Sequence, residues 1–208
     1  MKQIIAAFVA MLLLVPVCAE AAGNNDLEKA RKKELKSKLK EYKKAKWEIL
    51  GSHTMDVALA EHYAKLNTLG QDAHEVEGIS TRSKSKNVGK QAAINNAVIT
   101  YAQEAGSSLK GRVVSDLNAN GVDPDGEFDN FYAAYERLVE REIRGELEPS
   151  YSIIRSNGDG TYEVRTYFIV SESAASKARK RALDEALKNS SAAQKYGDKI
   201  SGFVQEGF

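Results

Sequence analysis

Two alternating stretches around Asn157, Gly158, Asp159 and Gly160 constrain this chain more than any other feature. Ser150–Arg155 and Thr161–Ser171 flank that turn, and Gly and Asx residues supply the positive-φ positions of a hairpin. Val164, Thr166, Phe168 and Val170 fall on one face of the second strand, and Arg165 and Tyr167 on the other. A β-hairpin with such faces must be covered by other elements. His74–Ser83 is expected to be a further strand, with Gly78 as a bulge. Trp47–Leu50 alternates and is expected to be a short strand, though helix is also open there.

The covering elements are helical. Val57, Ala58, Leu59, His62, Leu66 and Leu69 follow helical spacing, closed by Gly70. Ile94, Val98, Tyr101, Ala102, Ala105, Leu109, Val113 and Leu117 make one apolar face of a long helix. Ala92, Ala93 and Ala97 add a patch small enough for close approach to a sheet. Gly106 and Gly111 each weaken that helix by about 1 kcal/mol relative to Ala, so a kink or break is expected. Phe128, Phe131, Tyr132, Tyr135, Leu138, Val139 and Ile143 form the richest aromatic stripe, expected to be core. Ala175, Ala178, Ala182, Ala186 and Leu187 make a last amphipathic helix. The fold expected is α+β: an antiparallel sheet of three to four strands packed by a long helix, with an N-terminal basic helix.

Met1 and Lys2, the apolar run Ile4–Val17 and the small residues Ala19 and Ala21 have the layout of a secretory signal peptide, residues 1–21. The run is shorter than the roughly 20 residues that span a bilayer. Cys18 is the one cysteine of the chain. It either leaves with the signal peptide or carries a lipid, although Pro16 and Val17 before it are poor context for lipidation. The division expected is a basic helical arm at 22–45, a single α+β domain at 46–190 and a polar tail at 191–208, which docks through Phe203, Val204 and Phe208 or frays. The protein is expected to be secreted across the inner membrane, into the periplasm or onto the outer membrane.

A net charge of +1 hides a strong asymmetry. Lys29–Lys46 carries ten basic and two acidic residues, whereas Asp116–Glu148 carries three basic and ten acidic. One reading of the arm is a contact with an anionic membrane surface or acidic partner. The other is a solvated helix laid against the acidic helix of the same chain. Nucleic acid is not an expected partner of a secreted chain.

Asp116, Asn118, Asn120, Val122 and Glu127 match the oxygen-donor positions of an EF-hand-like calcium loop, with Gly121 at the sharp turn. Asp123 stands where such loops hold an apolar residue, and Pro124 follows. The competing reading is an acidic turn between two helices. His53, His62 and His74 lack zinc spacing, and His62 is expected to be a partly buried packing residue. No nucleophile-elbow or phosphate-loop motif is present.

The order strand, long helix, helix, hairpin, helix carries a further signal in three places. These are Glu77, Gly78 and Ile79; Ala92, Ala93, Ile94, Asn95, Asn96 and Ala97; and the arm from Tyr162 to Phe168. Over residues 72–188 the pattern resembles the LPP-twenty-like lipoprotein family of small Gram-negative envelope proteins. The resemblance implies an α+β fold, an envelope location and no catalytic residues. The function expected is therefore a non-catalytic envelope protein acting by binding or assembly. The alternatives are a calcium-binding module at 116–127 and a cell-wall or glycan hydrolase with carboxylates distant in sequence.

Overall fold

The computed structural model describes residues 24–121 and 126–207. The elements run α1 Asn24–Lys44, β1 Glu48–Ile49, α2 Met55–Leu69, β2 Ala73–Ser83, α3 Lys86–Ala119, α4 Gly126–Ile143, β3 Glu148–Ser156, β4 Tyr162–Ser171, α5 Glu172–Leu187, α6 Ser191–Lys195 and α7 Gly197–Glu206. The strands form one antiparallel sheet in the order β1-β3-β4-β2. This is an α+β fold with a four-stranded sheet and a long helix against it.

β3 and β4 are the hairpin, with Gly158 and Gly160 both at φ 80° in the turn. β4 lies in the interior of the sheet and is covered on both faces, so Tyr167, Phe168, Ile169 and Val170 are all buried. Val164, Thr166, Phe168 and Val170 face α3 and the helices behind it, while Tyr167 and Ile169 face α1 and α2. The sheet thus separates two apolar clusters. One joins α3, α4 and α5 and includes the aromatic stripe from Phe128 to Tyr135. The other is Tyr42, Trp47, Leu59, Tyr63 and Leu66 packed on Tyr151, Ile153, Tyr167 and Ile169. Fully burying one such large apolar side chain stabilises the fold by about 1.5–3 kcal/mol.

The local signals behave as ordinary stereochemistry. Thr54 caps α2 by accepting the Val57 N–H at 3.4 Å, and Gly70 ends it at φ 62°. Ser171 caps α5 through the Ala174 N–H at 3.2 Å.

Two expectations need correction, and one open alternative is decided. Gly78 is not a bulge: it pairs regularly with Thr166, and the β2 irregularity falls between Ser80 and Ser83. Its small size admits α3 instead, because a Cβ there would lie 1.9 Å from the Ala93 carbonyl oxygen. α3 does not break at Gly106 or Gly111 but runs through both. Gly106 makes room for Glu136 of α4, and the buried Ala102, Ala105 and Leu109 around it hold the helix together. Of the two outcomes open for the polar tail, docking is the one seen: it is helical, Phe203 packs on the core, and Ile200 and Val204 are buried behind α3 and α5, while Phe208 lies outside the described residues.

Candidate functional site

The basic arm is built into the fold by the residues that α1 turns inward. Tyr42 donates a hydrogen bond to the Tyr167 hydroxyl at 3.0 Å and lies 3.3 Å from the Tyr151 hydroxyl. The Arg31 guanidinium donates to the Leu66 and Gly70 carbonyl oxygens at 2.5 and 2.8 Å. Those carbonyls end α2, where a cation is favoured. Lys38 reaches Glu75 of β2 at 3.1 Å and Glu34 at 3.5 Å. Trp47 closes the edge, with the Arg155 and Arg165 guanidiniums 4.7 and 5.0 Å from its ring.

The partner of α1 is therefore α2 and the sheet, not the acidic helix. The acids in and just after α4 are met within that helix and from α3 and α5: Glu142 by Arg141 of α4 itself and by Arg181, Glu146 by Arg181, and Asp129 by Lys110. The outward face of α1 is left with Lys33, Lys36, Lys40 and Lys44, all exposed and spaced three or four residues apart. At 1.5 Å per residue this ridge is about 17 Å long. Among the described residues none of the four is ion-paired with a carboxylate.

Beneath α1 and α2 runs a buried polar line. His62 is fully buried, rather than partly buried as the helical spacing suggests. Its Nδ1 lies 2.8 Å from the Ser150 hydroxyl and its Nε2 lies 2.5 Å from Glu75 Oε2. The Nε2 contact is off the N–H axis, a close electrostatic approach rather than a linear hydrogen bond. Burial opposes ionisation of Glu75, but the His62 N–H and the Lys38 ammonium outweigh it and hold the carboxyl below the ordinary glutamate range. Burial likewise opposes the charge on Lys38, and Glu75 reverses the balance, raising its pKa. With a carboxylate against Nε2, that nitrogen carries the imidazole proton. Nδ1 is then an acceptor, and the Ser150 hydroxyl donates to it. The edges of Tyr63 and Tyr151 fix the ring, at centroid distances of 5.2 and 5.1 Å. Burial pushes the Tyr151 phenol far above its ordinary pKa, so it stays neutral.

Ser150 sits where the β3–β4 register shifts between Pro149 and Tyr151. The shift frees it from regular pairing, and it lines a pocket of about 190 Å³ between the end of β1, α2, α3 and β3. Leu50, Ile94 and Phe168 form the apolar wall, and Lys90 lines the same pocket. At the rim His53 Nδ1 lies 3.4 Å from Glu61.

The calcium reading meets a different geometry. Asp116 and Asn118 belong to the last turn of α3, where residues two apart point about 200° apart around the axis. Asp116 Oδ2 pairs with Lys199 of α7 at 2.5 Å, and Asn120 Nδ2 donates to the Asp116 carbonyl at 2.7 Å. Gly121 at φ 71° begins the turn. Asp116 and Asn120 stand side by side, with Asn120 Nδ2 3.4 Å from Asp116 Oδ2, and Asn118 lies on another side of the helix. Val122 and the side chain of Glu127 lie outside the described residues, as do Cys18 and the signal-peptide segment. Among the described residues no group of three or more His, Cys, Asp or Glu is placed to hold a metal ion.

Ser150, Glu75 and Lys38 are the functional candidates that the sequence reading missed, and no local motif marks them. Comparison of the chain with protein-family models, with curated proteins and with solved structures found no match.

Proposed function

We propose that this is a cell-envelope protein, secreted across the inner membrane, that works by binding or assembly and lays α1 against an anionic lipid surface. The observation that carries the proposal is the ridge of Lys33, Lys36, Lys40 and Lys44, exposed and without an ion pair among the described residues, on a helix whose opposite face is anchored by Tyr42 and Arg31. A helix held in this way presents its charges at no further ordering cost. Lysines near an anionic bilayer contribute about 1 kcal/mol each. The ridge has no bulky aromatic residue to insert, so the contact is electrostatic and lies on the surface. The N-terminal secretory pattern and the resemblance to envelope lipoproteins support the location.

The test is co-sedimentation of residues 22–208 with phosphatidylglycerol and phosphatidylcholine vesicles. Binding is expected to the anionic vesicles alone and to weaken as salt shortens the Debye length from about 10 Å at 0.1 M. Replacing the four lysines with alanine should remove of order 4 kcal/mol of binding. Equal binding to both lipids, or unchanged binding by the variant, rejects the proposal. Binding of anionic cell-wall polymer but not of vesicles would replace lipid with polymer as the partner.

A further inference from the structure

Ser150 stands between two features: its hydroxyl lies 2.8 Å from the Nδ1 of His62, and the residue lines an open pocket. Behind His62 stands Glu75 at 2.5 Å, and the other Glu75 oxygen is held by Lys38 at 3.1 Å. A hydroxyl within reach of a base, with the base oriented by a third group, is the arrangement that activates a serine. Recognition rests on geometry and roles, not on chain order, and here the three groups come from β3, α2 and β2.

We propose that Ser150 is a nucleophile that takes an acyl group from a small activated ester seated in this pocket. Ser150 Oγ forms a bond to the ester carbonyl carbon as His62 Nδ1 accepts the hydroxyl proton. Negative charge builds on the carbonyl oxygen, and Lys90, lining the same pocket, supplies the balancing cation. The tetrahedral centre collapses by breaking the bond to the alkoxide. The alkoxide takes the proton from Nδ1 and leaves as an alcohol, so His62 returns neutral. Glu75 is the positioning residue: it keeps the proton on Nε2 and steadies the imidazolium while it lasts. The pocket volume of about 190 Å³ and the wall of Leu50, Ile94 and Phe168 suit acyl chains of a few carbons. His62 is 0 % exposed, so water reaches Nδ1 only through the pocket by which the alcohol leaves and which the acyl chain then occupies, and acyl-Ser150 accumulates. This stoichiometric acceptor role goes beyond the surface-binding role of α1 and does not depend on it.

The test is incubation of the purified chain with p-nitrophenyl butyrate. Released nitrophenolate, the intact mass and the peptide carrying the label are followed together. One butyryl group per chain on Ser150 is expected, with none at that peptide in Ser150→Ala. Glu75→Gln keeps the shape and removes the charge, and should slow Ser150 labelling at least tenfold. In the same variant the ring nitrogen-15 shifts of His62 should report loss of the preference for the Nε2–H tautomer, a readout that a packing role would not move. His62→Gln should abolish labelling, with circular dichroism checking its fold. If that variant does not fold, Glu75→Gln decides. Absence of label on Ser150 in the wild type, label confined to surface lysines, or Ser150 labelling at an unchanged rate in Glu75→Gln overturns the proposal.

Discussion

Gly78 and Ala93 are in direct backbone contact across the interface between β2 and α3: a Cβ built on Gly78 would lie 1.9 Å from the Ala93 carbonyl oxygen and 2.6 Å from the Ala97 nitrogen. The obstacle is helix backbone, which cannot rotate away as a side-chain tip can. Gly78→Ala therefore must push α3 off the sheet, a strain of roughly 3 kcal/mol. In a chain of this size that lowers Tm by roughly 6–12 °C. Gly145, with nothing within 4 Å of its would-be Cβ, is the control, and Gly145→Ala should change stability by less than about 0.5 kcal/mol. Thermal unfolding of both variants checks the contrast, and equal Tm values would sink the close-approach account.

Arg179 is 1 % exposed, yet it carries a charge. Its guanidinium donates to the Tyr101 hydroxyl at 2.7 Å and pairs with Glu172 at the start of α5, which also meets His74 at 2.9 Å. Removing the carboxylate takes from the buried guanidinium the counter-charge that Glu172 supplies. A fully buried pair broken in this way costs about 3–5 kcal/mol. Glu172 is partly open to solvent, so about 2–3 kcal/mol is the expected cost of Glu172→Ala. Arg179→Met should cost less, because it fills similar space and leaves Glu172 able to turn to water. Urea unfolding of the two variants gives the order, and the reverse order would reject it.

What was legible in the chain was what is local. The hairpin follows from alternation plus a Gly/Asx turn, both contained in about twenty residues, and the long helix follows from one apolar stripe. Gly78 was misread because its reason lies in Ala93 and Ala97, on an element that folds onto it later in the chain. In the sequence the tail stays open between docking and fraying because Ile200 and Val204 have a partner face only once α3 and α5 are in place. The Ser150, His62 and Glu75 line was invisible for the same cause. Each residue is ordinary where it stands, and Ser150 lies 88 positions from His62 in sequence. Charge asymmetry told that α1 is basic, but the pairing of α4 acids with Arg141 of the same helix, with Arg181 and with Lys110 had to be seen before the α1 lysines could be assigned to the outside.

The partly exposed charge pair between Lys38 and Glu75 gives stability a defined pH window. Glu75 titrates below its ordinary value in the folded protein, because His62 and Lys38 outweigh the burial that would otherwise raise it. A depressed carboxyl contributes stability that is present above its unfolded pKa, near 4.3, and is lost as pH falls through the lower folded value. Lys38 has the opposite sign: its raised pKa contributes stability present below about 10.4 and lost as pH climbs through the folded value. The pair therefore supports the fold across neutral pH and releases it at both ends. Other carboxyls with depressed values, Glu142 and Asp159 among them, also weaken the protein in acid, so the wild-type profile alone does not isolate the pair. The difference between wild type and Glu75→Gln does. Urea midpoints measured at pH 7, 4 and 3 should show the wild type ahead at pH 7, with the gap closing as Glu75 takes up its proton. A gap that stays constant down to pH 3 would mean that Glu75 contributes packing and not charge, and the line from Lys38 through Glu75 to His62 would lose its electrostatic basis.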